Sequence, residues 1–192
     1  MKRGFSIVEL LGVLLVLALL IGLVLPAVRL VQRSAEKRRA GAEATALAQA
    51  VMHYRQEYGH WPYAETLEPD TNGAAALVAG IPNDDMPEWL SAPDKGALPQ
   101  MVFEQALLID ALTNALTNPR AIPFLEIPDD CLDAAGRFVD PWRQPYVIVM
   151  DPPLNVGPWT IGDVPAVVFS FGPPATGSKG LSNLVFSVEV AP

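Results

Sequence analysis

The residue that most demands a chemical explanation is Glu9, a carboxylate at the start of an apolar run whose uncharged core is Leu10 to Val28. Nineteen uncharged residues at a rise of ~1.5 Å span about 28 Å, enough to cross the hydrocarbon core of a bilayer. A carboxylate in such a run costs roughly 2.5–3.5 kcal/mol, so it needs a partner or a proton. Conventional catalytic sets are sparse by comparison. His53 and His60 stand seven residues apart with no Cys or further His at metal-ligand spacing, and both read as surface residues. Cys131 is the single cysteine; it allows no intramolecular disulfide and reads as a small packed residue. Asp84-Asp85 and Asp129-Asp130 sit beside prolines and read as solvated loop carboxylates. No G-x-S-x-G, phosphate loop or dinucleotide fingerprint occurs. Gly172-Pro-Pro-Ala-Thr-Gly177-Ser-Lys179 is only superficially like a phosphate loop, because two prolines remove amides and no helix is expected after it. Trp61, Trp89, Trp142 and Trp159 read as core. The expectation is a protein with no catalytic residue and no enzymatic activity.

Charge narrows the class further. Residues 1–39 carry seven basic groups against Glu9 and Glu36, whereas the remainder carries six basic and nineteen acidic groups. An acidic body repels phosphate backbones, so nucleic acid is not expected as a partner. Eighteen of the nineteen prolines lie after residue 60, which fits one long helix followed by a loop-rich domain. At 192 residues the chain holds one compact domain plus an appendage.

Three readings of the N-terminus compete. A secretory signal peptide has a shorter apolar stretch and a small-x-small cleavage site, which Pro26-Ala27-Val28 does not supply. A plain transmembrane anchor accounts for the length but leaves Glu9 unexplained. The third reading starts from Lys2-Arg3-Gly4 followed by Phe5, with Glu9 four residues on and the apolar run behind it. This arrangement resembles the type IV prepilin and type II secretion pseudopilin superfamily. The resemblance implies cleavage between Gly4 and Phe5 by an inner-membrane prepilin peptidase, methylation of the new Phe5 amine, and retention of the helix as an assembly element. The mature chain would then begin with a positive amine four residues before Glu9. In lipid each charge is costly alone and far cheaper beside the other, so Glu9 pairing with the Phe5 amine of a neighbouring subunit would set the stagger between subunits. Counting basic residues at 29–39 points the chain the opposite way across the membrane from the leader; the peptidase's cytoplasmic face favours the leader's orientation.

The elements that position these residues follow from periodicity. Ala40, Ala44, Leu47, Val51, Tyr54 and Tyr58 recur at helical spacing and form one apolar stripe, the face on which a domain folds back. Arg38, Arg39, Glu43, Gln49 and Gln56 fall off it. Gly59 is a natural C-cap, and Pro26 and Gly41 predict a kink and a weak point. Residues 72–79 suggest a short helix, and 100–117 a better one through Phe103, Leu107, Leu108, Leu112 and Leu116, stopped by Asn118-Pro119. Tyr146–Met150, Ala166–Phe171 and Leu184–Val190 read as strands of a small antiparallel sheet laid against the long helix.

Three further segments sharpen the resemblance. Tyr54-Arg-Gln-Glu-Tyr58-Gly59-His-Trp-Pro62 is similar to the helix end of the major pseudopilins. Asp140-Pro141-Trp142-Arg-Gln-Pro145-Tyr146 is similar to their Asp-Pro-Trp-Gly-Asn-Pro-Tyr segment, and Ser170-Phe171-Gly172-Pro173 to their Ser-x-Gly run. The family binds calcium near the last of these, but Gly180-Leu181-Ser182-Asn183 lacks the expected carboxylates and leaves backbone carbonyls, Asn183 and a stray acid such as Asp163 as donors, so no metal is expected. The expected fold is α+β and pilin-like: a leader at 1–4, a transmembrane helix at 5–28, its periplasmic continuation at 29–59, and a globular domain at 60–192 with an unassigned insert at 64–137. The implied function is a structural subunit of a type II secretion pseudopilus, held in the inner membrane with its domain in the periplasm. Its implied partners are further copies of itself, other pseudopilins, the prepilin peptidase and the inner-membrane secretion components. The alternatives are a type IV pilin, a minor pseudopilin, or a membrane-tethered periplasmic binding or enzymatic domain. If Gly4–Phe5 is the processing site, Gly4→Leu in a host with a prepilin peptidase leaves the membrane-bound chain uncleaved and heavier than the processed wild type by its retained four-residue leader, read by mass spectrometry.

Overall fold

The computed structural model describes residues 7–62, 77–80, 90–91, 100–103, 105–118, 120–150, 154–156, 159–161, 164–173 and 184–187. Side chains at 23–27, at 77 and in the strands at 90–91, 100–103, 154–156 and 159–161 lie outside that description. The chain divides into two compact units, Met1–Arg38 and Arg39–Pro192. The architecture is α+β, as expected: a long N-terminal helix, α1 (Ile7–Tyr58), precedes a domain in which its C-terminal portion packs on a small sheet. Helical structure continues through Pro26 and Gly41 without a break. Gly59 ends it in the left-handed conformation (φ +79°), with its N–H donating to the Arg55 carbonyl at 2.8 Å.

In the second unit the main sheet has the order β3-β1-β4-β7-β8, built from Gln100–Phe103 (β3), Leu77–Ala79 (β1), Val147–Met150 (β4), Ala166–Ser170 (β7) and Val185–Phe186 (β8). Four strands are antiparallel to their neighbours, and β3 joins the edge parallel to β1. A second, three-stranded sheet joins Leu90–Ser91 (β2), Leu154–Val156 (β5) and Trp159–Ile161 (β6). Strands are therefore present in all three β-branched and aromatic runs; of 184–190, Val185–Phe186 is strand and 188–190 lie outside the described residues.

Two expectations are corrected. Within 72–79 the described residues Leu77–Ala79 form a strand, because Leu77, Val78 and Ala79 ladder with Met150, Val149 and Ile148. Gly80 then turns the chain at φ +106°, where a Cβ would meet the Tyr146 carbonyl oxygen. The helix read at 100–117 is shorter: Gln100–Phe103 is strand, and α2 runs only Gln105–Thr113. Leu108, Ile109, Ala111 and Leu112 face the core, whereas Leu116, beyond the helix end, is 92% exposed. The amides of Phe124 and Leu125 both donate to the Leu112 carbonyl and so cap α2 where the helical run was read as continuing.

The apolar stripe on α1 is the core face. Ala40, Ala44, Leu47, Val51 and Tyr54 are buried, and Tyr58 half-buried. Ala44, Leu47, Val51 and Tyr54 share one cluster with Ile148, Met150, Ala166 and Val168 of the sheet and Leu108 and Leu112 of α2, and Tyr58 packs against it. β4 and β7 are buried along their whole lengths, so the alternate residues Val147, Val149, Val167 and Phe169 lie inside as well. Phe169 stacks obliquely on Phe186, ring centroids 5.5 Å apart, and edge-on to Phe171 at 6.0 Å. Much of the segment read as an insert is structural: α2 is core, and Phe124, Leu125 and Ile127 pack against it. Leu47 touches the centre of this cluster, so Leu47→Ala is expected to destabilise the domain by about 2–5 kcal/mol. Leu116→Ala should change stability by less than ~0.5 kcal/mol; urea unfolding of the two variants separates them.

Candidate functional site

The first unit presents its side chains outward. From Ile7 to Gly22 every residue is exposed, and the apolar ones include Ile7 at 81% and Val8 at 78%. Glu9 is the one ionisable residue of that stretch and is exposed too. Gly12 and Gly22 have open space where a Cβ would stand, so the surface is smooth at those points. Among the described residues, no helix is long and apolar enough to cross a membrane. Gly4 and Phe5, the expected processing site, lie outside the described residues, as do Asp84, Asp85, Trp89, Asp163 and 180–183.

The second unit fixes the three segments that carry the family resemblance. Asp140 is buried, and its Oδ1 accepts the N–H groups of Trp142 and Gln144 at 2.9 and 2.8 Å. Its Oδ2 accepts the Ser170 hydroxyl at 2.5 Å, while Ser170 Oγ accepts the Gly172 N–H at 2.8 Å. The Asp140 loop and the Ser170–Gly172 turn, thirty residues apart, are thus tied by one carboxylate. A serine hydroxyl on a carboxylate is also the first half of a nucleophile–base pair. Here both groups are buried and no histidine adjoins them among the described residues, so the pair orders backbone. Arg143 occupies the left-handed region (φ +68°) at the position where the resembling segment carries Gly.

Tyr146 continues the network. Its hydroxyl, inside the core, donates to Glu43 Oε2 of α1 at 2.7 Å. Burial and the neighbouring Glu43 carboxylate push this phenol far above its ordinary value, so it stays protonated and acts as the donor. Arg39 donates from Nε to Glu43 Oε1 at 2.7 Å and from Nη2 to Cys131 Sγ at 3.1 Å. Burial, with Asp130 adding to it, raises the Cys131 thiol, which is therefore a poor nucleophile as well as a buried one. At the far end of α1, Tyr58 donates to Asn118 Oδ1 at 2.8 Å, and Arg120 pairs with Glu57. Arg55 lies over the buried Trp61 ring, 4.2 Å from its centroid. His53 is exposed on the helix, and His60 turns Nδ1 toward the Trp61 carbonyl. Trp142 is half-buried, so only Trp61 of the described tryptophan side chains is core. No group of three His, Cys, Asp or Glu residues able to hold a metal ion occurs among the described residues.

The stripe reading set Glu43 aside as a residue off the apolar face. Helical geometry offered one signal: Glu43 lies at the stripe's edge, beside Ala40 and Leu47, where a buried hydroxyl from the sheet can reach it. Nothing local pairs Asp140 with Ser170.

Burial raises the Asp140 carboxyl, against the Ser170, Gln144 and Trp142 hydrogen bonds that lower it, and the net shift is upward. The folded state then holds this proton more tightly than the unfolded one. The contribution of Asp140 is most favourable below its unfolded value of about 4 and is lost as the pH rises through the folded value. Asp140→Asn keeps an acceptor for both amides and should flatten that loss, read from urea unfolding across a pH series. Asp140→Ala should instead cost about 1–3 kcal/mol at every pH, because the Ser170 hydroxyl and two loop amides lose their acceptor. Comparison with protein-family profiles, with curated proteins and with solved structures gave no match.

Proposed function

We propose that the chain is a structural subunit of a type II secretion pseudopilus, anchored in the inner membrane by its N-terminal helix and polymerising there with further copies of itself. One observation carries the reading: sixteen consecutive helical residues, Ile7–Gly22, expose an apolar surface broken only by Glu9. Monomeric soluble proteins rarely expose a contiguous apolar surface of that extent, and such surfaces mark membrane or protein contact. In the sequence the uncharged run continues to Val28, the length that a bilayer core needs.

Further support comes from the domain. A helix whose apolar stripe is buried on an antiparallel sheet is the pilin arrangement, and the three resembling segments lie at structural junctions of that sheet. The Tyr58–Gly59 turn ends the helix, the Asp140 loop enters β4, and Ser170 leaves β7 for the Gly172 turn. The tie between Asp140 and Ser170 gives those residue types a reason to occur together. The tolerance for Gly at the position of Arg143 follows from its positive φ.

In this mechanism the prepilin peptidase cuts between Gly4 and Phe5 and exposes an amine. Glu9 of one subunit neutralises the Phe5 amine of the next, and the apolar helices bundle around that pair. Subunits added at the base by the inner-membrane secretion machinery then push the filament into the periplasm. Work is done by assembly, so the domain needs rigidity in place of a catalytic centre. Chemical cross-linking of membranes tests the mechanism. The full chain should give a ladder of multimers, and Glu9→Ala should reduce it to monomer at an unchanged membrane level. An undiminished ladder in Glu9→Ala removes the pairing role; a wild-type chain that stays monomeric in membranes identifies a tethered domain instead.

A further inference from the structure

Beyond the apolar stretch, α1 carries Arg29, Arg33 and Lys37 at successive intervals of four residues. At 100° per residue these three fall within an arc of about 80° on the helix. Val28, Val31 and Ala35 occupy the opposite arc, and Arg38 lies on another side. All three cations are exposed, and none forms a hydrogen bond or an ion pair among the described residues. The segment carries one neighbouring carboxylate, Glu36, half-buried, so the stripe remains strongly cationic.

We propose that Arg29, Arg33 and Lys37 form a binding stripe for anionic phospholipid headgroups at the membrane face from which the domain emerges. The inference rests on the membrane reading above and adds a lipid class to it. First, Arg29 directly follows the last residue of the uncharged run, and Arg33 and Lys37 stand about 6 and 12 Å further along the axis. A headgroup layer is ~5–8 Å deep on each side of the hydrocarbon core, and long basic side chains on a helix lean toward its N-terminus, which here is toward the lipid. The guanidinium groups at 29 and 33 therefore fall within the headgroup layer, and the Lys37 ammonium reaches back toward its outer edge. Second, guanidinium forks match phosphate oxygens in pairs, and a stripe of three reaches adjacent headgroups. Third, opposed apolar and basic arcs are the pattern of a helix crossing an interface, since Val28 and Val31 can remain in lipid while the cations take phosphate. The acidic domain of a second copy offers complementary charge too, but the lean toward the N-terminus turns the cations to the bilayer.

The test uses the full chain reconstituted in vesicles of mixed phosphatidylglycerol and phosphatidylcholine, with spin-labelled versions of each lipid as probes. The wild type should enrich the phosphatidylglycerol probe several-fold over the phosphatidylcholine probe at low salt. That enrichment should vanish at about 1 M salt, where the screening length is roughly 3 Å. R29Q/R33Q/K37Q should lose the enrichment while remaining vesicle-bound, whereas Arg38→Gln, off the stripe, should keep most of it. A vesicle-bound wild type with no preference overturns the proposal, as does a triple variant that keeps one. A triple variant that loses cross-linked multimers while keeping the lipid preference also overturns it and assigns the stripe to a second copy. A chain that fails to float with vesicles of either lipid overturns the membrane reading itself, and that result is distinct from loss of selectivity.

Discussion

A phenol placed inside an apolar core must give its proton to something, and in this domain that requirement organises the fold. Tyr146 is fully buried, and its hydroxyl donates to Glu43 on the long helix at 2.7 Å, with the Ala40 carbonyl farther off at 3.4 Å. The same residue takes the Gln105 side-chain amide on its carbonyl at 2.6 Å and packs its ring on Phe138 at a centroid distance of 4.9 Å. Its carbonyl also lies so close to Gly80 that no Cβ fits there. One residue at the entrance to β4 thereby sets the positions of α1, α2 and the turn after β1. Leaving the hydroxyl unpaired in that setting would cost the full desolvation penalty, larger than the net gain of an ordinary hydrogen bond. The register between helix and sheet is consequently not free to slip.

Around that point the domain is held by two kinds of force with different tasks. Burial of Leu47, Val51, Ile148, Met150, Leu108 and Leu112 supplies non-directional stability. Directional polar ties supply the geometry at the margins: Asp140 to Ser170, Tyr58 to Asn118, and Asn118 in turn to the Ile122 carbonyl at 2.9 Å. One buried acceptor, Gln105 Oε1, is unsatisfied among the described residues, the cost of aiming the amide at Tyr146. A domain tied at so many loop junctions transmits force well, as the proposed filament role would require. The first unit has the opposite character, with the apolar side chains of Ile7–Gly22 turned outward and a single carboxylate, Glu9, among them.

Much of this was legible beforehand, and the misses have a common cause. The stripe from Ala40 to Tyr58 was readable because a 3.6-residue period repeats over five turns, and the Gly59 cap because only a residue without Cβ enters that conformation readily. β4, β7 and the start of β8 announced themselves through β-branched and aromatic runs. β1 and β3 did not: three or four residues carry no periodicity, and they are strands only because the edge of β4 offers them hydrogen-bond partners. The helix read at 100–117 failed at both ends for the same reason, since sheet pairing took Gln100–Phe103 and the Phe124 and Leu125 amides took the Leu112 carbonyl in the last turn of α2.

By itself the sequence determined the long helix, its apolar stripe, the α+β class and the placement of one carboxylate at the head of an uncharged run, because each depends on local spacing and on the cost of a charge among apolar residues. The tertiary structure decided which polar residues meet: Glu43 with Tyr146 across more than a hundred residues, Asp140 with Ser170, and α2 with the core. Those meetings depend on how strands are ordered and how a helix lies on them, and no local pattern of residue types encodes the order β3-β1-β4-β7-β8. Periodicity tells a residue which way to face; only the folded chain supplies what it faces.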